Sequence, residues 1–384
     1  MHTQSNFRLL VVRLGSMGDI LHALPAVTAL RQAHPEWVID WVVEPRWRAL
    51  LGSQGSDGRS PAQPVVDQLH LAPTKDWKKA PLSGKALSEI KILRRSLRAG
   101  RYDAVLDLQG AIRSAVLGRM AGSGRLIGEA EPRERAARWL FTERVTTQGA
   151  HVIEQDVELV STIAGDELTP VQPWLPVDPV AEAWADDLFS ASKQPGPPRT
   201  GLGPWGGEQP AVLINPGAGW GAKRWPAERY AAVAAGLIGR GFGVLVNAGP
   251  GEEPLAEVIA THTKGAATPL TCTLEQLIAV TRRVALCIAG DTGPLHLACA
   301  LGRPVVGIYG PTDPSRNGPF GTRFKVLRSP VSRRDHTRNE APEAGLLTIQ
   351  PEEVLRAADA LLYPESTTNA APETYSTKQS ETAL

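Results

Sequence analysis

The sequence predicts an α/β protein made of two domains with a cleft between them, and three observations lead to this prediction. Short apolar runs of strand type alternate with helical stretches along most of the 384 residues. A segment rich in proline and glycine interrupts the alternation at residues 166–210, after which it restarts. Glycine-containing loops follow several of the predicted strands. Alternating strands and helices imply parallel pairing with right-handed crossovers, and the length suits two domains.

The N-terminal domain, residues 1–165, opens with a short apolar strand and a glycine-containing turn. A helix then runs from Ile20 to about Gln32. The strands that we predict in this domain are residues 9–12, 38–43, 65–71 and 104–108. Ligands of open α/β sheets bind outside the carboxyl ends of the strands. The loops that follow strands are therefore where a functional site is expected.

Residues 166–210 contain the runs PVQPWLPVDP and SKQPGPPRTGLGPWGGEQP, which predict a linker because proline and glycine disfavour helices and central strands. The C-terminal domain, residues 211–363, restarts the pattern and includes a helix at 227–238. Its predicted strands are residues 211–214, 243–247, 285–289 and 305–309. Residues 364–384 are polar and poor in bulky apolar side chains, which predicts a disordered tail.

Composition narrows the classes of function. The formal net charge is only +1, so bulk charge gives no reason to expect a nucleic-acid partner. The three cysteines, Cys272, Cys287 and Cys299, lie in apolar sequence without CxxC spacing, which favours buried thiols over a zinc site. The first apolar run is broken by Arg13, and no stretch approaches the roughly 20 apolar residues of a membrane span. We therefore expect a cytoplasmic protein that contacts a membrane only at its surface.

The first chemical motif is RLGSMGD, residues 13–19, between the first strand and the first helix. Only Gly15 and Gly18 are glycine, so the GxGxxG fingerprint of a dinucleotide site is absent. Asp19 could cap the helix, since Asp is a favoured N-cap residue. Alternatively, its carboxylate could accept a proton from an attacking hydroxyl. The residues alone leave both interpretations open.

The second motif is NPGAGWGAKRWP, residues 215–226, again directly after a strand. Its glycines allow backbone N–H groups to approach a ligand, and Lys223 and Arg224 add positive charge. Pro226 suits the first turn of the helix that follows. The pattern is not a P-loop, but it fits an anion site for a diphosphate. A structural turn with a solvated basic pair is the alternative.

The third motif is GDTGPLH, residues 290–296, which joins a strand to a helix. A helix N-terminus at a strand end is a natural phosphate cradle. His296 lies one turn beyond Thr292 and is either a ligand contact or a buried core residue. Upstream, Glu252 and Glu253 follow another strand. Either could bind ribose hydroxyls, or both could simply favour the start of a helix.

Residues 75–101 carry nine Lys or Arg against two Asp or Glu. Such a run is usually a solvated helix face, but it could also contact an anionic, phosphate-bearing acceptor or a lipid surface. Elsewhere in this domain, Arg113, Arg133 and His151 are further candidates for the same cleft.

Together these motifs resemble the ADP-heptose:lipopolysaccharide heptosyltransferases of glycosyltransferase family 9. The segment LLVVRLGSMGDILHALPAVTALR resembles the opening of these enzymes. The segments NPGAGWGAKRWPAERY and AGDTGPLHLACALGRPVVGIYGPTDP resemble their nucleotide-sugar-binding half. The likeness runs through most of residues 8–328 and looks closest to heptosyltransferase I. It implies the GT-B fold, in which two Rossmann-like domains face each other across a cleft, with the acceptor in the N-terminal domain and ADP-heptose in the C-terminal one.

The resemblance also implies a reaction, the inverting and metal-free transfer of L-glycero-D-manno-heptose to Kdo or the inner core of lipopolysaccharide. No cofactor is implied, because ADP-heptose is a co-substrate. Asp19 is then the expected general base, and Lys223 the cation that holds the diphosphate. The implied donor-binding residues are Gly217, Ala218, Lys223, Glu252, Asp291, Thr292, Gly293 and His296. The implied acceptor-binding residues are Ser16, Met17, Gly18, Gln109, Arg113, Arg133 and His151.

The expected acceptor is anionic Kdo-lipid A, which places the protein peripherally at the inner face of the inner membrane. Three features depart from the family pattern: the Pro/Gly-rich linker, an apparent inserted loop at residues 53–63, and residues 332–346, which match no motif. A transferase of the heptosyltransferase II type, or one with another acceptor or nucleotide sugar, is the main alternative. A sugar-nucleotide 2-epimerase on the same scaffold is a second, and a nucleotide-sugar-binding protein without transfer activity is a third. The oligomeric state is left open.

Overall fold

A computed structural model describes residues 6–191, 209–333 and 340–364. The chain divides into two compact units, Met1–Asp178 and Pro179–Leu384. Each unit contains one six-stranded sheet in which all strand pairs are parallel. The prediction of two Rossmann-like domains is therefore confirmed. Within the described residues, no helix is both long and apolar enough to span a membrane.

The sheet of the N-terminal unit has the strand order β3-β2-β1-β4-β5-β6. Its strands are β1 (Arg8–Val12), β2 (Val38–Val43), β3 (Gln68–Leu71), β4 (Ala104–Asp107), β5 (Leu126–Glu129) and β6 (Glu143–Val145). Its helices are α1 (Met17–Ala33), α2 (Thr74–Lys79), α3 (Gly84–Ala99), α4 (Ile112–Met120) and α5 (Val152–Ala164), with 3₁₀ turns at Pro45–Leu50 and Arg135–Trp139. The central strands are mostly apolar because helices cover both faces of a parallel sheet. Helix α1 is buried on nearly all sides and packs against α5.

The C-terminal unit repeats this design with the strand order β12-β11-β10-β7-β8-β9. Its strands are β7 (Ala211–Asn215), β8 (Gly243–Asn247), β9 (Ala267–Leu270), β10 (Leu286–Gly290), β11 (Val305–Tyr309) and β12 (Phe324–Arg328). Its helices are α6 (Pro179–Ala191), α7 (Ala227–Gly239), α8 (Glu253–His262), α9 (Leu274–Arg283), α10 (Gly293–Ala300), α11 (Pro314–Asn317) and α12 (Pro351–Leu362), with 3₁₀ turns at Gly221–Lys223 and Leu346–Thr348. The core lies between the sheet and α7, α8 and α12.

The strands predicted from the sequence are all present, and the third is shorter than predicted. Residues 65–66 are buried but precede β3, which begins at Gln68. At residues 65–67, hydrogen bonds that involve side chains take the place of the backbone pairing of a strand. The carboxylate of Asp67 accepts a hydrogen bond from the Ile39 N–H at 2.8 Å, and the guanidinium of Arg31 donates to the Val65 carbonyl at 2.9 Å.

The prediction of a linker without helices at residues 166–210 was wrong in one respect, because this segment contains helix α6. The proline and glycine residues flank this helix, and its own sequence, PVAEAWADDLFSA, favours a helix, with proline tolerated in the first turn. Glu182 of α6 forms ion pairs with Arg282 and Arg283 of α9. Along the chain, the boundary between the two units falls between Asp178 and Pro179, inside the predicted linker. Residues 192–208 and the tail predicted at 364–384, beyond Pro364, lie outside the described residues.

The loop at residues 53–63 is packed against its own domain. The Ser53 N–H donates to the Ala62 carbonyl at 2.8 Å, which closes the loop at its base. The side-chain amide of Gln63, which is buried, donates to the carbonyls of Val66 and Asp67. The loop therefore joins the 3₁₀ turn after β2 to the approach of β3.

Candidate active site

Each sheet has one position where the strand order reverses, between β1 and β4 in the N-terminal unit and between β7 and β10 in the C-terminal unit. Loops that leave neighbouring strands at such a point diverge to opposite faces and open a crevice, the usual ligand site of open α/β sheets. The first motif, residues 13–19, follows β1, and the second and third motifs follow β7 and β10. All three motifs predicted from the sequence thus lie at these two points.

Asp19 lies in the first turn of α1, where its carboxylate has two neighbours. Its Oδ2 atom accepts a hydrogen bond from the Ser16 N–H at 2.7 Å, so it closes the first turn of the helix. A guanidinium nitrogen of Arg13 lies 3.7 Å from Oδ1. About a third of the side chain, 32%, is exposed. The two interpretations of Asp19 are therefore compatible, since it closes the helix turn and still offers carboxylate to a ligand.

The electrostatic surroundings keep Asp19 ionised. Burial opposes ionisation, but the positive charge of Arg13, the Ser16 N–H and the charge of Arg133 outweigh it and lower the pKa of Asp19. At neutral pH the side chain is a carboxylate, the protonation state that a general base requires.

Gln109 lies after β4, at the reversal point beside the Asp19 loop. Its Oε1 atom accepts a hydrogen bond from the Leu14 N–H at 3.1 Å, and the residue is only 4% exposed. Asp107 fixes the turn that carries it, because its carboxylate accepts from the N–H groups of Gln109 and Gly110 at 2.8 and 2.9 Å. The structure thus gives Gln109, predicted as an acceptor contact, a role in holding the Asp19 loop.

The other acceptor candidates divide into exposed and buried groups. Ser16, Arg113 and Arg133 are exposed, whereas Met17 and Gly18 are buried in the first turn of α1. His151 was predicted to face the acceptor but is 4% exposed and caps α5, where its Nδ1 atom accepts from the Ile153 N–H at 3.2 Å. Its ring packs edge-on against His22 at 5.6 Å. This burial follows from the contact between α1 and α5, which sequence alone does not reveal.

Asp156, on the second turn of α5, was missed by the sequence analysis. It is 6% exposed, and its Oδ2 atom is buried without a hydrogen-bond partner in the described structure. Burial raises the pKa of Asp156 to about 7, with Arg13 opposing the rise and Asp19 and Glu129 adding to it. Asp156 is therefore electrostatically coupled to the candidate base, and nothing in its sequence context indicated this.

In the C-terminal unit, Lys223 and Asp291 form an ion pair across the reversal point. The Lys223 Nζ atom lies 2.5 Å from Asp291 Oδ2, and the two side chains are 13% and 8% exposed. The other oxygen of Asp291 lies 3.2 Å from His296 Nε2. Lys223 also lies over the Trp220 ring, 4.6 Å from its centroid. The second and third motifs therefore meet in one cluster, although 68 residues separate the two charges.

The charges in this cluster stabilise one another. Burial opposes ionisation of Asp291, but the hydrogen bond from His296 and the charge of Lys223 hold its pKa well below the usual range. Thr292 is the N-cap of α10, and the first N–H groups of a helix have no carbonyl partner within it. A buried cation beside a helix N-terminus is suited to an anionic ligand.

Glu252, rather than Glu253, points at the glycine-rich loop after β7. Its Oε2 atom accepts from the Gly249 N–H at 3.1 Å, and a Cβ atom built on Gly217 would lie 1.9 Å from the same oxygen. Glycine is thus the residue that this close approach allows. Glu253 is exposed and lies at the start of α8. Ala218 is buried, and its carbonyl accepts from Arg224 Nε at 3.3 Å.

Residues 340–346, for which the sequence indicated no role, pack on the turn that carries Lys223. The Glu343 N–H donates to the Ala222 carbonyl at 3.2 Å, and its carboxylate accepts from Ser332 Oγ and the Leu346 N–H, both at 2.9 Å. The Glu340 carbonyl lies where a Cβ atom on Gly221 would be. These contacts position the Lys223 turn. Residues 334–339 lie outside the described part of the chain.

A row of hydrogen bonds crosses the C-terminal sheet near the carboxyl ends of its strands. Cys272 Sγ donates to Asn247 Oδ1 at 3.4 Å, Asn247 Nδ2 donates to Asn215 Oδ1 at 2.7 Å, and Asn215 Nδ2 donates to Cys287 Sγ at 3.6 Å. Cys272 and Cys287 form no disulfide in the described structure; Cys287 is buried, as predicted, whereas Cys272 is only half-buried. Burial raises the pKa of Cys272 to about 11, so its thiol stays protonated at neutral pH. In the sequence, Asn215 and Asn247 each end an apolar strand, and this repeated pattern could have indicated the row.

Two Rossmann-like domains, each with charged side chains gathered at the reversal point of its sheet, match the architecture of glycosyltransferases of the GT-B fold. The family model of glycosyltransferase family 9 (heptosyltransferase) matches residues 90–346, and the chain belongs to this family. The family and fold predicted from the sequence are thereby confirmed.

Individual relatives agree with this assignment. Lipopolysaccharide heptosyltransferase 1 of Escherichia coli K12 is 28% identical over 333 residues, covering 84% of this chain and 94% of that protein. Lipopolysaccharide heptosyltransferase 2 of the same strain is 25% identical, covering 93% and 99%. The solved structure of E. coli heptosyltransferase WaaC with ADP is similar with a TM-score of 0.72 and 26% identity, covering 92% of this chain and 100% of that one.

Proposed function

We propose that this glycosyltransferase moves L-glycero-D-manno-heptose from ADP-heptose to the Kdo-bearing inner core of lipopolysaccharide, with inversion and without a metal ion. The observation that carries the proposal is the buried Lys223–Asp291 pair at the reversal point of the C-terminal sheet. It supplies a cation and a helix N-terminus at one place, which suits a nucleoside diphosphate. The names of the relatives support heptose as the sugar and lipopolysaccharide as the acceptor.

In this proposal the C-terminal domain, residues 211–363, binds the donor and the N-terminal domain, residues 1–165, binds the acceptor. Lys223 contacts the diphosphate, Gly217 and Ala218 let it approach the loop, and Glu252 accepts hydrogen bonds from the adenosine ribose. Ser16, Arg113 and Arg133 are the exposed groups on the acceptor side. We propose that Gln109 and His151 act by holding this side in shape, since both are buried.

Chemistry proceeds as one displacement. Asp19 accepts the proton of the acceptor hydroxyl as that oxygen bonds to the anomeric carbon of the heptose. The bond from this carbon to the diphosphate oxygen breaks, and ADP leaves from the opposite face. Lys223 and the N-terminus of α10 offset the charge that grows on the leaving diphosphate, a preorganised electrostatic contribution. The proton remains on Asp19 until solvent removes it.

The testing experiment is ADP release from ADP-L-glycero-D-manno-heptose with and without Kdo-lipid A. Acceptor-dependent release with a heptosylated lipid is the expected result, unchanged by EDTA. Release with heptosyl-Kdo-lipid A alone would instead assign the heptosyltransferase II type. ADP release without any acceptor, or isomerisation of the sugar nucleotide, would overturn the proposed transfer. Activity lost with EDTA and restored by a divalent cation would contradict the metal-free reaction.

We further propose that the enzyme works at the cytoplasmic surface of the inner membrane, where a lipid-linked acceptor is made. The names of the relatives as lipopolysaccharide transferases support this location. Fractionation of cells should find the chain with inner membranes at low salt and release it at high salt, because surface electrostatics are screened. Recovery only with the outer membrane would contradict it.

A further inference from the structure

One layer of helices in the N-terminal unit exposes an outer face that combines cations with apolar side chains. The layer consists of α3, α4 and the turn Arg135–Trp139, which pack in that order on one side of the sheet. We call its outer surface, with the α2–α3 connection, the α3–α4 face. Exposed cations on this face include Lys91, Arg94, Arg95, Arg98, Arg119 and Arg135.

The spacing along α3 gathers these groups into a stripe. Leu87, Lys91, Arg94 and Arg98 follow one another at intervals of four, three and four residues, which places them on one side of a helix. Ala86, Leu93 and Leu97, which enter the core, lie on a different side of α3 from this stripe. The stripe therefore points outwards, as its exposure shows.

The cations of the stripe are not neutralised by neighbouring carboxylates. In the described part of the chain, the side chains of Lys91, Arg94 and Arg95 form no ion pair or hydrogen bond. Glu89, the one acid of α3, accepts from Trp77 Nε1 at 2.9 Å and pairs with Lys85, whose Nζ atom lies 3.9 Å from its other oxygen. Glu134 accepts from the Ile112 N–H at 2.9 Å. The face thus carries a net positive charge.

Large apolar side chains lie among these cations. Leu82 is 86% exposed, Trp139 70% and Ile92 60%, and Leu82 is the most exposed large apolar side chain in the described structure. Burying such side chains away from water is favourable. Tryptophan in particular is enriched at the boundary between water and lipid. Cations with apolar groups on one helical surface are typical of segments that lie in the headgroup region of an anionic bilayer.

We propose that the α3–α4 face docks this enzyme onto a membrane surface that contains anionic lipids. The inference rests on the proposed function, because only a lipid-linked acceptor gives such docking a purpose. Within the N-terminal unit the face adjoins the acceptor side. Helix α4 begins at Ile112, directly after the loop whose Gln109 side chain holds the Asp19 loop. Docking would therefore bring headgroups close to the edge of the sheet that carries the base.

The first experiment is sedimentation of the full chain with two kinds of vesicle, phosphatidylcholine alone and an equal mixture of phosphatidylethanolamine and phosphatidylglycerol. Binding to the anionic vesicles only is expected. The variant Lys91→Glu/Arg94→Glu should bind them at least about 25-fold more weakly, since each cation contributes roughly 1 kcal/mol near such a surface. The matched control is Arg323→Glu/Lys325→Glu, which makes the same charge change at exposed positions of the C-terminal unit and should bind like the wild type.

The apolar part of the face is tested separately with Leu82→Ser/Ile92→Ser, which should also weaken vesicle binding at unchanged charge. Equal binding of wild type and Lys91→Glu/Arg94→Glu would overturn the proposal, as would equal binding to neutral and anionic vesicles. A self-association that the charge variant abolishes, with vesicle binding unaffected, would overturn it in favour of a second copy of the chain.

Activity separates this proposal from the proposed function. With a deacylated, water-soluble Kdo acceptor, Lys91→Glu/Arg94→Glu should release ADP at the wild-type rate. With the acceptor embedded in anionic vesicles, its rate should fall by at least tenfold, in line with the weaker binding. Failure of all variants and wild type to release ADP would refute the transfer reaction, while the vesicle measurements would still decide the docking surface.

Discussion

The pairing of Lys223 with Asp291 makes separate predictions for stability and for catalysis. Replacing Lys223 with methionine leaves the carboxylate of Asp291, 8% exposed, with His296 as its remaining partner. Removing one partner of a buried ion pair typically lowers the free energy of unfolding by about 3–5 kcal/mol, because the other charge is left buried without its partner. Because His296 still contacts the carboxylate, we expect Lys223→Met to lower the free energy of unfolding by about 3 kcal/mol, the lower end of that range.

The double variant Lys223→Met/Asp291→Asn removes both charges and leaves no buried ion. Its free energy of unfolding should return to within about 1 kcal/mol of wild type, since replacing a whole buried pair is often nearly neutral. Urea unfolding followed by tryptophan fluorescence measures the four corners of this cycle, and we expect a coupling of at least about 2 kcal/mol, since the second substitution offsets most of the loss caused by the first. Lys325→Met, at an exposed cation of the same unit, is the control and should change stability little.

Catalysis should not recover in the double variant. Both variants that lack Lys223 lose the cation that faces the leaving diphosphate, so their turnover should fall by about 10²–10³-fold in an ADP-release assay. Strictly additive stability losses would refute the structural pairing. Wild-type turnover in the double variant would refute the catalytic role, whatever the stability shows.

Three further predictions concern single carboxylates. Asp19→Asn should lower turnover by about 10²–10⁴-fold in the ADP-release assay, the usual value of a general base, with the KM for the donor unchanged; a variant that keeps wild-type turnover would exclude this role. The pKa of Asp156 is raised to about 7 in the folded state, so the unfolded chain releases this proton at a lower pH than the folded one. The free energy of unfolding is therefore unaffected by Asp156 below about pH 4, and it falls as the pH rises from there through 7. Urea unfolding of Asp156→Asn should therefore show a gain over wild type that is larger at pH 8 than at pH 4.5, and an identical difference at both values would contradict the raised pKa. Glu252→Gln should raise the KM for ADP-heptose by about tenfold through a weakened hydrogen bond to ribose; Glu253→Gln is the matched control, and an equal effect of both changes would rule out this assignment.

The sequence predicted eight of the twelve strands, because buried parallel strands are read as continuous apolar runs. It missed β5, β6, β9 and β12, which are short or partly exposed. It also found Lys223 and Asp291, but as members of two separate motifs. Their contact depends on β7 and β10 being neighbours, and this follows from the strand order rather than from either motif. The resemblance to a known family supplied the roles of both residues, while the ion pair that joins them required the fold.

Other features had no signal of their own in the sequence. Asp156 sits mid-helix among ordinary residues, and only the packing of α5 against α1 buries it near Asp19 and Arg13. His151 looked like a polar group near a cleft, yet the same packing makes it a buried cap. Helix α6 was hidden because its proline-rich surroundings dominated the composition of residues 166–210.

The row from Cys272 to Cys287 has a direction. Every hydrogen bond in it is donated towards β10, so the amide dipoles of Asn247 and Asn215 align head to tail and add rather than cancel. The positive end of this aligned row faces the strand that leads into Asp291, and both asparagines are almost fully buried, where water screens their dipoles little. The sheet itself is thereby polarised in favour of negative charge at its point of reversal, in the same sense as Lys223 and the N-terminus of α10. Because these dipoles are fixed before any ligand arrives, part of the site's preference for an anion is set by uncharged residues.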